Sequence, residues 1–190
     1  MKKNILVIGA PRSGKISLAR KISKTLGYSV ISLDDIVSGL SAYKDLNIAH
    51  DSDDYEVSKK FSKFLKIYLK ELAEGSNFYS DIKYVIEGTH IDLDYLLPFD
   101  NMDKYEIIGL TFNDIDKDTM YSNIKKYDTE DEWTYYLSDE DLKGDINFFI
   151  ERNKFFYEEF LKHNIKYYDT SISREDAFNS AIRYFKNNTK

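Results

Sequence analysis

The sequence contains no cysteine among its 190 residues. This absence excludes disulfide bonds, thiol nucleophiles and thiolate metal sites. Histidine is also scarce, and the spacing of His50, His90 and His163 does not fit a metal-binding motif. We therefore expect neither thiol chemistry nor a structural zinc site.

The chain also lacks long hydrophobic runs and an excess of basic residues. No segment approaches the roughly 18 consecutive apolar residues of a membrane span, and Met1-Lys2-Lys3 leads into a strand-like segment instead of a signal peptide. The net charge is −6 and the lysines are dispersed among acids, which argues against nucleic acid as the main partner. We expect a soluble, cytoplasmic protein.

Apolar residues make up 42% of the chain, which is enough for the core of one compact domain over residues 1–190. Short apolar runs that predict buried strands alternate with segments of helical periodicity. The predicted strands lie near residues 4–8, 28–33, 83–88, 106–112 and 165–168, and the main predicted helices near 14–26, 54–75, 146–161 and 173–185. This alternation predicts an α/β fold with a parallel sheet and helices on both faces. Residues 114–145, which are polar and acid-rich, form an insert in this pattern.

A glycine-rich segment follows the first predicted strand. Gly9-Ala10-Pro11-Arg12-Ser13-Gly14-Lys15 matches the first seven positions of the Walker A pattern and lies between a strand and a helix, as that pattern requires. Its glycines let successive N–H groups point inward, the helix N-terminus adds a positive dipole end, and Lys15 can bridge the β- and γ-phosphates. The segment predicts a nucleoside triphosphate site, and a plain tight strand-to-helix connection is the alternative. Arg12 either contacts phosphate or points into solvent.

The eighth position departs from this pattern. It normally carries Ser or Thr, whose hydroxyl binds Mg²⁺, and here it is Ile16. Ser17 lies one residue further, rotated by about 100° around the helix, so it is not an automatic replacement. Because Mg²⁺ keeps mostly water ligands, a water could fill this position while Asp34, Asp35 or Glu87 holds the ion. We expect Mg²⁺-dependent catalysis that is weakened but not abolished.

Over its whole length the chain resembles the adenylate kinase-like branch of the P-loop kinases, which includes nucleotide, shikimate, gluconate and antibiotic phosphotransferases. The resemblance rests mainly on Gly9 to Lys15, and also on Asp34, Ile86-Glu87-Gly88 and Asp169-Thr170-Ser171. It implies a three-layer α/β/α P-loop fold, with a five-stranded parallel sheet in the order 2-3-1-4-5. It also implies that the insert is a helical lid, that the cofactors are ATP and Mg²⁺, and that the acceptor is a small molecule.

The resemblance assigns roles to three acidic positions. In such kinases a carboxylate after the second strand holds or deprotonates the acceptor hydroxyl, and the matching positions are Asp34, which we prefer, and Asp35. The carboxyl end of this strand is also where open α/β sheets bind ligands, although Asp34 could instead cap a helix that starts at Ile36. Glu87 resembles the Walker B acid. The candidate metal ligands are therefore Glu87, Asp34 and Ser17.

The lid and the last loop supply the remaining candidates. Lids of this family usually contribute arginines, but residues 114–145 contain none. The candidate phosphate clamps are Arg152, Lys125 and Lys126, with solvated surface charges as the alternative for the two lysines. Since the loop after the last strand lies against the adenine in this family, Thr170 and Ser171 are expected to border the base.

Three functional hypotheses follow. In the first, the protein transfers the γ-phosphoryl group of ATP to a small molecule, with Lys15 and Mg²⁺ neutralising charge and Asp34 positioning the acceptor. In the second, Ile16 and the arginine-poor lid mark a nucleotide-binding protein without efficient transfer, which serves sensing or assembly. The third, an NTP hydrolase, needs an activated water and usually a switch segment or arginine finger, of which the sequence shows no clear example. The sequence leaves open the acceptor, the preference for ATP over GTP, and the oligomeric state.

Overall fold

The computed structural model describes residues 3–48, 55–75, 82–113, 115–130 and 132–188. Within these residues the chain forms a parallel sheet in the order β2-β3-β1-β4-β5. Its strands are β1 (Asn4–Gly9), β2 (Ser29–Ser32), β3 (Tyr84–Gly88), β4 (Tyr105–Thr111) and β5 (Lys166–Asp169). The predicted sheet and its strand order are confirmed.

The described helices alternate with these strands along the chain. They are α1 (Lys15–Leu26), α2 (Leu33–Ser41), α3 (Tyr55–Gly75), α4 (Leu93–Leu96), α5 (Lys117–Tyr127), α6 (Asp139–Lys162) and α7 (Arg174–Asn188), with short 3₁₀ turns at Lys44–Leu46, Met102–Lys104 and Trp133–Tyr136. None of these helices combines the length and the apolar character that a membrane crossing requires.

Strand β1 lies at the centre of the sheet and all of its residues are buried. Successive side chains of a strand point to opposite faces, and β1 accordingly divides between two cores. Leu6 and Ile8 pack with α3 and α6 on one face, and Ile5 and Val7 pack with α1 and α7 on the other. Each large aliphatic side chain that is fully buried contributes roughly 1.5–3 kcal/mol, so the strand that leads into the glycine-rich loop is held from both sides.

Two helices begin earlier than the sequence pattern predicts. Helix α2 starts at Leu33 and not at Ile36, so Asp34 and Asp35 lie in its first turn, where carboxylates favour the positive end of the helix dipole. The suggestion that Asp34 caps a later helix is therefore wrong. Helix α6 starts at Asp139, because the Ser138 hydroxyl accepts a hydrogen bond from the Asp141 backbone N–H at 3.1 Å and caps the helix.

The insert is helical, as predicted, and packs on the body of the protein. Asp114 and Asp131 lie outside the described residues, and the described residues of the insert include α5, a 3₁₀ turn and the start of α6. Met120 and Ile124 of α5 are buried in the core that includes α6, and the ring of Trp133 packs edge-on against Phe149, with centroids 6.0 Å apart. We refer to the described residues 115–130 and 132–138 as the lid.

Candidate functional site

The loop from Gly9 to Lys15 connects β1 to α1 and needs both of its glycines. A Cβ atom at Gly9 would lie 2.5 Å from the Leu110 carbonyl oxygen of β4, so no side chain fits there. Gly14 has a φ of 94°, in the left-handed region that favours glycine. Arg12 also adopts a left-handed φ of 64°, which is uncommon for a residue with a side chain. The loop is therefore a tightly wound turn directly before α1.

The N-terminus of α1 carries positive charge and has no acidic side chain in its own first turn. The first N–H groups of any helix have no acceptor within the helix, and the first turn of α1 contains no acidic side chain. Its first residue is instead Lys15. The aligned backbone dipoles and this lysine make the end of the helix suited to an anion.

The ammonium of Lys15 is buried at the centre of the site. Its side chain is about 6% exposed, and Nζ donates a hydrogen bond to the Ala10 carbonyl oxygen at 2.8 Å. Burial lowers the pKa of Lys15, and the negative charges of Glu87 and Asp34 oppose this change. The structure therefore brings together three predicted site residues that come from α1, β3 and α2.

The two carboxylates have the environment of a cation site. Glu87 lies opposite Val7 and Ser32 in the sheet and is buried. Burial raises the pKa of Glu87, and Lys15 and a hydrogen bond from Ser32 oppose this change. In Asp34 the buried Oδ1 atom has no hydrogen-bond partner within the described residues. Because carboxylate oxygens are ligands that Mg²⁺ accepts, these two side chains fit the metal that the sequence predicts.

Other buried polar atoms around the loop also lack hydrogen-bond partners within the described part of the chain. They are Arg12 Nε, Ser13 Oγ, Thr111 Oγ1 and Arg174 Nε. Folded proteins pair the great majority of buried polar atoms. A group of unpaired donors and acceptors beside a helix N-terminus is therefore expected where a polar ligand binds.

Arg174 also lies against the glycine-rich loop, although it is not among the site residues predicted from the sequence. It begins α7, and its guanidinium stacks on the rings of Tyr127 and Phe178 at 5.3 and 5.6 Å. Nη2 donates to the Ser17 hydroxyl at 3.1 Å, and burial lowers the pKa of the group. One feature of the sequence could have indicated it: Arg174 is a basic residue that closely follows the loop after β5, and the resemblance places that loop near the base. Ser17 interacts with Arg174 here, and its role as a metal ligand stays a prediction.

The lid contributes acids to the loop instead of the expected cations. The guanidinium of Arg12 forms ion pairs with Asp128 and, at 2.5 Å, with Glu132. Of the predicted clamps, Lys125 pairs with Asp139 at 2.8 Å, and Lys126 lies over the ring of Tyr127. The third clamp, Arg152, is buried, with its guanidinium 4.9–5.3 Å from the ring centroids of Tyr55, Phe155 and Phe156. Its role at the phosphates stays a prediction.

The loop after β5 is tied to the glycine-rich loop through Thr170. Its hydroxyl donates to the Thr111 carbonyl at 2.9 Å and lies 3.4 Å from the Ser13 carbonyl. The Ser171 backbone N–H donates to Asp169 in the same turn. A cavity of about 40 Å³ lies beside Thr170, lined also by Arg12, Tyr127, Arg174, Phe112 directly after β4, and lid residues that are mostly apolar. This cavity is far smaller than the roughly 300–1,000 Å³ of typical ligand pockets.

The chain matches no protein-family model and no curated protein sequence. Its fold is nevertheless similar to solved structures of small-molecule kinases. A shikimate kinase from Bacteroides thetaiotaomicron is 15% identical, with a TM-score of 0.53 over 97% of both chains. A gluconokinase from Sinorhizobium meliloti 1021 is 13% identical, with a TM-score of 0.54 over 98% of this chain and 93% of that one. A shikimate kinase from Acinetobacter baumannii, in complex with shikimate, is 13% identical, with a TM-score of 0.52 over 100% and 97%. The chain therefore shares the three-layer α/β fold of these solved structures, the fold that its resemblance implied.

Proposed function

We propose that this protein is a phosphotransferase that moves the γ-phosphoryl group of ATP to a small-molecule acceptor. The observation that supports this function best is that Lys15 is buried at the glycine-rich loop, where the charges of Asp34 and Glu87 act on it. A buried ammonium is costly to desolvate, so its place at an anion-binding helix end favours a triphosphate ligand. The net charge of −6 makes nucleic acid an unfavourable acceptor.

The proposed chemistry assigns roles to the N-terminus of α1, Lys15, Asp34 and Glu87, and Asp34 has two of them. The N–H groups of α1 and the Lys15 ammonium bind the phosphates, and Lys15 exchanges its bond to the Ala10 carbonyl for a phosphate oxygen. Asp34 takes the proton of the acceptor hydroxyl while that oxygen forms a bond to the γ-phosphorus. The bond from the γ-phosphorus to the bridging oxygen breaks, and ADP leaves with the electron pair.

Glu87 and Asp34 would hold Mg²⁺, directly or through water, and the ion would neutralise phosphate charge. Isoleucine offers no ligand atom at position 16, so the protein supplies fewer oxygen ligands than a standard Walker A loop. We therefore expect slower transfer than in kinases with Ser or Thr at this position.

The first test is calorimetric titration of the protein with Mg-ATP. Lys15→Ala should weaken binding at least about tenfold, because a charge-assisted hydrogen bond contributes about 1.5–3 kcal/mol. Lys24→Ala removes an equal charge from an exposed position of α1 and should leave the affinity unchanged. Equal affinities for the natural protein and Lys15→Ala would show that the loop does not bind the phosphates.

The second test follows ADP release with a panel of hydroxylated metabolites, sugar acids and nucleosides. Once an acceptor is found, Asp34→Asn should lower turnover about 10²–10⁴-fold, the usual contribution of a positioned general base, and keep most of the Mg-ATP affinity, because the loop and Lys15 still hold the phosphates. The neighbouring Asp35 is exposed, and Asp35→Asn is the matched control. If the two variants are equally active, Asp34 does not act on the acceptor.

A nucleotide-binding protein without efficient transfer is the second candidate. It is favoured by Ile16 and by the hydrogen bond that joins the Ser17 hydroxyl to Arg174. It predicts Mg-ATP binding without acceptor-dependent ADP release. Appearance of transfer in Ile16→Ser, from a natural protein with none, would support this candidate because the variant restores a metal-binding hydroxyl.

A further inference from the structure

The glycine-rich loop and the lid are joined by a largely buried group of three charged side chains, Arg12, Asp128 and Glu132, which we call the latch. The side chains of Arg12 and Asp128 are 8% and 4% exposed. Asp128 is also fixed from within the lid, because the Thr134 hydroxyl donates to its second oxygen at 2.6 Å. The latch therefore links a positioned lid carboxylate to the loop, across more than a hundred residues of sequence.

Glu132 faces more than one cation of the loop. It forms an ion pair with Arg12 at 2.5 Å, and the backbone of Arg12 is in a left-handed conformation. Burial lowers the pKa values of Lys15 and Arg174, and the negative charge of Glu132 opposes the change in both. A single lid carboxylate thus lies within electrostatic reach of the three cations around the glycine-rich loop.

The lid position also restricts the space beside the loop. Arg12, Tyr127 and Arg174 all line the cavity of about 40 Å³ next to Thr170. A buried water needs at least about 10–15 Å³ of such space, so the cavity has room for only a few water molecules. Tyr127 is the last residue of α5 and directly precedes Asp128, so the latch and the narrow cavity involve the same part of the lid.

We propose that the latch is an autoinhibitory contact, in which Asp128 and Glu132 occupy the cations of the P-loop and must be displaced by the phosphates of the nucleotide. This inference rests on the proposed function, in that it takes the glycine-rich loop to be a triphosphate site. Arg12 then has two alternating partners, the lid carboxylates without ligand and the phosphates with ligand. Release of the carboxylates also lets the lid move away from the base side of the loop. The apparent affinity for nucleotide is reduced by the fraction of molecules in which the latch is closed.

The test measures dissociation constants for Mg-ATP and for tripolyphosphate, which carries the phosphates without a nucleoside. Glu132→Gln and Asp128→Asn keep the shape of each side chain and remove its charge. Each should bind both ligands at least about fivefold more tightly than the natural protein, the lower end of typical coupling between sites. Glu130→Gln removes one charge from an exposed lid residue and should leave the constants unchanged. Thermal unfolding of each variant shows whether it is folded.

The outcomes separate this inference from the proposed function. One outcome is that the natural protein binds Mg-ATP, that Lys15→Ala weakens this binding as expected, and that folded latch variants bind no more tightly than Glu130→Gln. The autoinhibitory latch is then wrong and the proposed site stands. If the latch variants bind tripolyphosphate more tightly and Mg-ATP no better than tripolyphosphate, the latch is supported and the ATP assignment is wrong. If neither ligand binds any folded variant, both are overturned.

Discussion

The close packing of Arg174 against Gly14 predicts a large effect of one added methyl group. A Cβ atom at Gly14 would lie 2.7 and 2.8 Å from Arg174 Nε and Nη2, and 2.9 Å from Phe178 Cζ. Alanine at this position also has to adopt a φ of 94°. Gly14→Ala therefore adds two costs, backbone strain in the loop and overlap with α7.

The two costs can be estimated separately. A left-handed conformation costs a residue with a side chain roughly 1–2 kcal/mol. Overpacking of a well-filled region costs about 1–3 kcal/mol, and the buried Phe178 ring leaves Arg174 little room to retreat. We expect Gly14→Ala to lower the free energy of unfolding by about 2–5 kcal/mol.

Two other glycines are matched controls, because each lacks one or both of these costs. Gly27 has a φ of 73° and nothing within 4 Å of its added Cβ, so Gly27→Ala measures the backbone cost alone, about 1–2 kcal/mol. Gly39 lies inside α2 with no left-handed φ and no neighbour within 4 Å, so Gly39→Ala should stabilise by roughly 0.5–1 kcal/mol. Urea unfolding with linear extrapolation measures all three.

The comparison of Gly14 with Gly27 is the decisive one. If Gly14→Ala costs no more than Gly27→Ala, the packing of Arg174 over the loop is wrong. A second measurement uses Arg174→Ala as the background, where the excess cost of Gly14→Ala should fall because two of its three closest atoms are gone. An unchanged excess would assign the overlap to Phe178 alone.

Three further predictions concern the surroundings of the site. Asn153 accepts a hydrogen bond from the Phe112 backbone N–H at 2.9 Å and donates one to the Phe112 carbonyl at 3.2 Å. Asn153→Ala should therefore destabilise the protein by about 1–3 kcal/mol for each group left unpaired. A smaller loss in urea unfolding would mean that other partners replace the asparagine. Burial raises the pKa of Glu87 in the folded state above the ordinary 4.5 that it has in the unfolded state. Between the unfolded and the folded pKa, the folded state binds more protons than the unfolded state. Stability therefore falls as pH rises from 4.5 through the folded pKa. Glu87→Gln should remove this part of the slope, whereas a pH profile parallel to that of the natural protein would contradict the shift. Arg174→Met should weaken Mg-ATP binding about tenfold through loss of a cation beside the loop. Arg183→Met, at an exposed position of α7, is the control and should leave the affinity unchanged. Equal affinities of the two variants in calorimetry would exclude Arg174 from the ligand site.

The sequence patterns predicted the elements around the loop because their signals are local. The apolar run of β1, the glycines of the loop and the periodicity of α1 lie within a few turns of chain, and each is decided by its own residues. The starts of α2 and α6 were misplaced for the same kind of reason. At α6 the first turn is acid-rich, so the Ser138 cap and the helix dipole set the boundary where periodicity gives no signal. At α2 the apolar Leu33 fits the end of the β2 run as well as the start of the helix.

By itself, the sequence determined the glycine-rich loop, its lysine and the α/β alternation, and its family resemblance supplied the strand order. Only the tertiary structure decided which charges meet at the loop. Arg12 pairs with Asp128 and Glu132, and Arg174 reaches Ser17, across more than a hundred residues of chain. Contacts of this kind depend on how α5 packs on α6, how α7 packs on the sheet and α1, and where each long side chain points. No pattern within a single segment encodes those directions, because they follow from the packing of segments that are distant in sequence.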